Sequence, residues 1–218
     1  MKPVGVRTIT ALAIPILVLL AGCTGATTPN PLPTDTSASS PSPTTEVPEP
    51  VATTLSVSAT GLTVLDENSL VMVDIPFVTA ADVAAAQLTD VLGAAPSVTE
   101  QTESNCLRGG TLYSFEGFTL DATGTITIQP AAFSILVTAP TTTGGVALVG
   151  PAGTHVGQPV SEVLAAIPDA AGYGFLVLQN TGTADNPTGV GGDIFDDAGY
   201  ATDNVTRILS PVVLAPDC

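Results

Sequence analysis

The sequence predicts an α+β domain that combines antiparallel sheets with two short helices. Two observations predict this fold class. Most of the chain after residue 50 consists of short segments rich in β-branched residues and separated by turn residues, which is typical of strands that pair antiparallel. Two other segments repeat apolar residues at helical spacing. These roughly 170 residues are enough to bury a core of their own.

The first helix is predicted over residues 79–92. Thr79 suits the N-cap position, Asp82 lies in the first turn where the helix dipole favours an anion, and Gly93 suits the position just after the helix. One face of this segment carries apolar residues at helical spacing: Ala84, Leu88, Val91 and Leu92.

Strands are predicted on both sides of this helix. Residues 54–77 should form a strand, a break at Gly61 and then a hairpin that turns at residues 66–68. Three further strands are predicted after the helix: 111–118, 124–129 and 133–138.

The second half of the chain repeats this order on a smaller scale. Residues 146–149 and 155–156 are predicted to pair as a hairpin, and Pro159 favours the start of a second helix over 159–167. Three strands are predicted after that helix: 173–179, 191–195 and 205–209.

Residues 51–140 and 141–218 are therefore predicted to be two α+β units packed on one another. Both units contain a hairpin, a helix and strands in the same order, which is the pattern of a tandem duplication. Residue identities between the units are sparse, so the order of elements is what supports this hypothesis.

The N-terminus has the three zones of a secretory signal. Lys2 and Arg7 precede an uncharged apolar run over residues 8–21, which is shorter than the ~20 residues of a membrane-spanning helix. The run leads into a motif that resembles the lipobox of bacterial lipoproteins: Leu20-Ala21-Gly22-Cys23. The resemblance implies that residues 1–22 are a cleaved signal peptide. It also implies that a diacylglyceryl group with palmitate-like chains on Cys23 holds the protein on the extracytoplasmic face of the cell membrane.

Residues 23–50 are predicted to be the lipidated cysteine followed by a disordered tether. After Cys23 this segment contains seven Pro, seven Thr and four Ser and no aromatic residue. Such a composition cannot bury enough apolar surface to offset the entropy of the chain. We therefore expect a spacer between the membrane and the domain.

The charge of the chain excludes a nucleic-acid partner. The formal net charge is −16, and removal of Lys2 and Arg7 with the signal peptide would lower it by two further units. Nucleic acids and anionic lipid surfaces both require clustered Lys or Arg. The acidic surface favours solubility, and a cationic partner or a divalent metal site is the alternative.

Cysteine number fits an exported protein. Lipidation of Cys23 would leave Cys106 and Cys218 as a pair in an oxidising compartment, and we predict a disulfide between them. This bond would close a loop of roughly 110 residues and stabilise the domain by about 4–5 kcal/mol in the chain-entropy model.

The densest acidic stretch is residues 185–204, which is also rich in Gly and Asn. Calcium binds carboxylate and amide oxygens on such loops, although the spacing of an EF-hand is missing. Turn formation is the other interpretation of the same residues, and the one we favour. The candidate calcium ligands are Asp185, Asp193, Asp196 and Asp197. No other cofactor is predicted.

Catalytic motifs are sparse. His155 is the single histidine, it lies between glycines, and no serine occupies a Gly-x-Ser-x-Gly elbow. One histidine with two paired cysteines does not make a usual zinc site. The twenty acidic residues leave a glycosidase-like carboxylate pair open.

The sequence thus predicts a non-enzymatic binding module for an unknown envelope or extracellular partner, displayed as a lipoprotein. The composition is similar to that of exported proteins of high-GC Gram-positive (actinobacterial) bacteria. Two alternatives stay open: a carboxylate-dependent cell-wall hydrolase and a calcium-binding adhesion-type protein.

Overall fold

The computed structural model describes residues 49–103, 109–123, 131–170, 175–181 and 188–213. These residues belong to one compact unit, Val47–Cys218. They contain two helices and eleven strands, which confirms the predicted α+β class.

The first sheet has four strands, in the order β3-β2-β1-β8. The strands are β1 (Ala52–Val57), β2 (Gly61–Asp66), β3 (Val71–Pro76) and β8 (Ala147–Val149). Strands β1, β2 and β3 pair antiparallel as predicted, but the break between β1 and β2 is at residues 58–60, and the predicted break residue Gly61 begins β2. Gly61 is required there because a Cβ atom at this position would lie 2.4 Å from the carbonyl oxygen of Ile75.

The second sheet has seven strands, all antiparallel, in the order β4-β5-β6-β7-β11-β10-β9. The strands are β4 (Ser97–Gln101), β5 (Gly110–Phe115), β6 (Phe118–Asp121), β7 (Ser134–Val137), β9 (Phe175–Asn180), β10 (Thr188–Asp193) and β11 (Arg207–Val213). The predicted strands near 133–138, 173–179, 191–195 and 205–209 are found here with shifted ends. The predicted strand 124–129 lies outside the described residues.

The helices are α1 (Ala81–Leu92) and α2 (Val160–Ala166). Gly93 ends α1 in the left-handed conformation, with φ at 68°, and its N–H donates to the carbonyl oxygen of Thr89. The predicted Thr79 N-cap is wrong. Ala80 occupies that position, and its methyl side chain cannot cap the helix. Thr79 lies in the preceding turn, where its N–H donates to the Pro76 carbonyl oxygen at 2.9 Å.

Three strand predictions are also wrong in detail. The predicted strand 111–118 contains a turn at Glu116 and Gly117, so it belongs to two strands, β5 and β6. The prediction missed β4 and all of β6 after Phe118. The predicted hairpin of 146–149 with 155–156 does not form: Pro151–Gly153 is a 3-10 turn, and β8 pairs in parallel with β1 instead.

One apolar core lies between the elements. Fully buried side chains come from both sheets and from α1, among them Leu55, Leu62, Ile75, Leu88, Phe118, Ile135, Leu148 and Ile208. Two polar contacts also join the sheets. The buried Ser210 hydroxyl donates to the Ser58 carbonyl oxygen at 2.7 Å, and the Ala59 N–H donates to the Gln179 side-chain oxygen at 3.0 Å.

Strands of each sheet come from both predicted units, 51–140 and 141–218. In the four-stranded sheet, β8 from the second unit lies beside the three strands of the first unit (β1, β2 and β3). In the seven-stranded sheet, β9, β10 and β11 from the second unit lie beside β4, β5, β6 and β7 from the first. The tandem duplication stays a hypothesis about the origin of the chain.

Candidate ligand-binding cleft

A cleft of about 510 Å³ opens beside the loop between β10 and β11. One wall is residues 156–157, which precede α2. The other is formed by residues 195–197, by Thr202 and by residues 204–207, and Thr138 closes one side. This volume lies within the range of about 300–1,000 Å³ that small-molecule sites occupy.

The β10–β11 loop keeps its shape through two aspartates. The Asp193 Oδ1 accepts a hydrogen bond from the Phe195 N–H at 2.9 Å. The Asp196 Oδ1 accepts two more, from the N–H groups of Ala198 at 3.0 Å and Tyr200 at 2.8 Å. These are Asx-type turns, in which a short carboxylate satisfies backbone donors that have no strand partner.

Backbone hydrogen bonds hold the two walls together. The Gly157 N–H donates to the Val205 carbonyl oxygen at 2.7 Å, and the Val205 N–H donates to that of Gln158 at 2.9 Å. A third bond, 2.9 Å long, runs from the Val160 N–H to the Asp203 carbonyl oxygen and fixes the start of α2. The shape of the cleft is therefore set by main-chain geometry before any ligand arrives.

Arg207 and Asp197 form an ion pair at the cleft. The Arg207 side chain is 36% exposed and that of Asp197 is 94% exposed. Ion pairs as exposed as this contribute only about 0–1 kcal/mol, so either side chain can turn toward a ligand at little cost. Within the described part of the chain, Arg207 is the single Lys or Arg side chain.

The remaining lining combines apolar and polar groups. Val156 and Phe195 are half-buried and supply apolar surface. The Thr206 hydroxyl donates to the Asp193 carbonyl oxygen at 3.1 Å and keeps its acceptor capacity. The exposed side-chain amide of Asn204 makes no hydrogen bond to any of the described residues, although the Asn204 backbone N–H donates to the Thr202 hydroxyl at 3.4 Å. The lining of the cleft thus combines hydrogen-bond donors, hydrogen-bond acceptors and apolar side chains.

Three of the four predicted calcium ligands lie in or next to the β10–β11 loop. Asp193 and Asp196 accept the turn hydrogen bonds above, and Asp197 pairs with Arg207. Asp185 lies outside the described residues. Within the described ranges, no three Asp, Glu, His or Cys side chains lie close enough to hold a metal ion together. Calcium binding stays a prediction, and a thermal melt with millimolar Ca²⁺ tests it, since binding would raise the melting temperature.

His155 lies next to the cleft wall but contacts its own loop. Its ring Nδ1 is 3.3 Å from the Gly153 carbonyl oxygen, and its backbone N–H donates to the Gln158 side-chain oxygen at 3.2 Å. The described residues place no serine hydroxyl in hydrogen-bond contact with this ring.

The predicted lipidation site and the predicted disulfide lie outside the described residues, which exclude Cys23, Cys106 and Cys218. In the part of the chain that is described, neither helix is long and apolar enough to cross a membrane.

The sequence prediction missed the site residues Phe195 and Arg207, and it included Asn204 only as the last residue of the acidic stretch 185–204. The chain has only four Lys or Arg, so an arginine within a few residues of the acidic loop was an available signal. No sequence signal pointed to Val156, because its position at the cleft depends on backbone hydrogen bonds between segments that are distant in sequence.

Comparison of the chain with protein-family models, with curated proteins and with solved structures found no match.

Proposed function

We propose that this protein is a lipoprotein, anchored through Cys23 to the extracytoplasmic face of a membrane, whose α+β domain is a non-enzymatic module that binds an envelope or extracellular partner. The cleft beside the β10–β11 loop is the proposed binding site. The observation that carries the proposal is that backbone hydrogen bonds link both of its walls, while the side chains that line it, except the buried Val205, stay at least partly exposed.

The N-terminal sequence supports the anchor. Its charged, apolar and small-residue zones have the order of a secretory signal, and the four residues ending at Cys23 resemble a lipobox. Two acyl chains hold a protein stably on a bilayer, whereas one chain does so only marginally.

The geometry of the cleft supports binding rather than hydrolysis. A glycosidase places its two carboxyl groups on either side of the scissile bond, about 5–10 Å apart. Asp196 and Asp197 are instead neighbours on one loop, and both are exposed. One supports the turn, and the other pairs with Arg207. Among the described residues, the lining of the cleft contains no carboxylate other than these two.

The anchor is tested by replacing Cys23 in the bacterium that produces the protein. Cells fed an alkyne fatty acid should label the wild-type chain and leave Cys23→Ala unlabelled, and the variant should move from the membrane to the soluble fraction. Cys106→Ala is the matched control and should keep its label. Equal labelling of all three chains would contradict the proposal.

The binding site is tested by a photo-crosslinking amino acid placed at Asn204 on intact cells. The control carries the same amino acid at Asn68, an exposed residue in the β2–β3 turn that does not line the cleft. A crosslinked envelope component seen from position 204 but not from position 68 supports the cleft. Equal or absent products at the two positions would rule it out.

A further inference from the structure

We infer that the cleft beside the β10–β11 loop binds a neutral, polyhydroxylated ligand, namely a sugar unit of an envelope or extracellular glycan. The inference rests on the proposed function and names the class of ligand for the same site.

The charges in the cleft favour a ligand without net charge. Two carboxylates, Asp196 and Asp197, lie beside one guanidinium, that of Arg207. An anion that reached Arg207 would meet these carboxylates, and like charges repel at such short range. A cation that bound Asp197 would compete with Arg207 for this carboxylate and would lie beside a like charge. A neutral ligand avoids both costs.

The hydrogen-bonding groups match hydroxyl groups. A sugar presents neighbouring hydroxyls, each of which donates one hydrogen bond and accepts others. The Asn204 amide offers both roles and is unused within the described ranges. Arg207 keeps donors beyond the one directed at Asp197, and each aspartate keeps an Oδ2 for which the structure shows no hydrogen bond to the rest of the described chain. Planar groups of this kind can each engage two adjacent hydroxyls.

The apolar part of the cleft matches the other face of a sugar ring. The C–H groups of a pyranose form an apolar face that packs on aromatic and aliphatic side chains. Phe195 and Val156 both line the cleft and provide such a surface. Gly157 lines the same cleft, and the space beside its Cα is open, because a Cβ atom at this position would meet nothing within 4 Å apart from its chain neighbours.

The strength of the interaction follows from its few contacts. Removal of one neutral hydrogen bond costs about 0.5–1.5 kcal/mol, which corresponds to a loss of about 2- to 12-fold in affinity. Asn204→Ala should therefore raise Kd for the sugar by about 2- to 12-fold. Phe195→Ala should raise it by at least as much, because it removes the apolar surface. Asn68→Ala should leave it unchanged.

The test is a set of titrations followed by NMR chemical shifts on the full secreted chain, made soluble by Cys23→Ser. The probes are neutral oligosaccharides of N-acetylglucosamine and of mannose, with a polyanionic glycan and an oligolysine peptide as charged comparators. We expect a neutral oligosaccharide to shift the resonances of Phe195, Asn204 and Arg207, and the Asn204→Ala and Phe195→Ala variants to weaken that binding.

Three outcomes would overturn this inference. The first is preferential binding of a charged probe at the cleft. The second is saturable sugar binding that Asn204→Ala and Phe195→Ala leave unchanged. The third is no response to neutral sugars at 20 mM. If position 204 still crosslinks to an envelope component on cells, the proposed function survives that failure. If it does not, both proposals fall. Variants that lose the wild-type NMR dispersion are replaced by Asn204→Asp and Phe195→Leu, which change the same contacts more conservatively.

Discussion

Helix α1 bridges the two sheets, and Leu88 is the residue through which its contribution can be measured. The helix contacts β3 of the four-stranded sheet and β6 of the seven-stranded sheet. The Leu88 side chain is fully buried, with 0% exposure, as part of the shared core. Val83 lies on the same helix but is 46% exposed. Leu88→Ala therefore removes core contacts while alanine keeps the helix propensity high.

The magnitude follows from the atoms removed. Three buried carbon atoms are lost, at about 0.8 kcal/mol each, and the cavity left behind adds to the cost. We expect a loss of about 3–4 kcal/mol in the free energy of unfolding. For a domain of this size, that loss lowers the melting temperature by about 6–16 °C. Urea unfolding of the Cys23→Ser chain, followed by far-UV circular dichroism, measures the free energy directly.

Val83→Ala is the matched control and should cost less than about 1 kcal/mol, since an exposed side chain loses little on truncation. The reasoning would be refuted if both variants changed stability by the same amount. It would also be refuted if Leu88→Ala unfolded within 1 kcal/mol of the parent chain.

Three further predictions concern backbone and covalent constraints. Ser69 has a positive φ of 61° in the β2–β3 turn, which strains a residue with a side chain. Ser69→Gly should therefore raise the free energy of unfolding, measured by urea titration, by about 0.5–1 kcal/mol. Destabilisation would contradict this prediction. Gly189→Ala would place a Cβ atom 1.8 Å from a carbonyl oxygen of β9, so this variant should lower soluble yield and stability sharply. Gly192→Ala on the same strand would meet only ordinary contacts at 3.4 Å, so it should not have this effect. A thiol count on the denatured, unreduced protein should find Cys106 and Cys218 oxidised, and their reduction should cost about 4–5 kcal/mol; two free thiols would disprove the bond.

Much of the fold was predictable because many of its elements are specified by their own short stretch of sequence. Helix α1 is specified by its own periodicity and by Gly93, and the β1–β2–β3 meander by alternation and turn residues. The turns of the acidic loop could also be predicted, since Asp193 and Asp196 accept hydrogen bonds from nearby backbone N–H groups, as Asp side chains commonly do in turns.

The errors lie where the structure depends on distant partners. The strand at residues 146–149 was predicted, but its partner was not: β8 pairs in parallel with β1, which is more than 90 residues away in sequence, rather than with the nearby residues 155–156. The predicted strand 111–118 had enough β-formers to be continuous, but Glu116 and Gly117 turn the chain so that Phe115 and Phe118 pair and their rings stack at 4.8 Å. The cleft was missed for the same reason, since backbone hydrogen bonds between distant segments of the sequence bring Val156 and Arg207 to the same cleft.

The position of the cleft explains how a weak interaction would serve a tethered protein. Strands β10 and β11 lie inside the seven-stranded sheet, so their connecting loop rests on a rigid scaffold and loses little entropy when a ligand binds. The contacts proposed for a single sugar are few, and one site would hold it weakly. Many copies held on one membrane by Cys23 would face a repeating glycan together, and the second contact would then form at a high effective concentration. We therefore expect vesicles that carry the acylated protein to retain a polymeric glycan far more strongly than the soluble Cys23→Ser chain does. The two forms should still show the same Kd for a short oligosaccharide, because the anchor changes the number of contacts and leaves each site as it is.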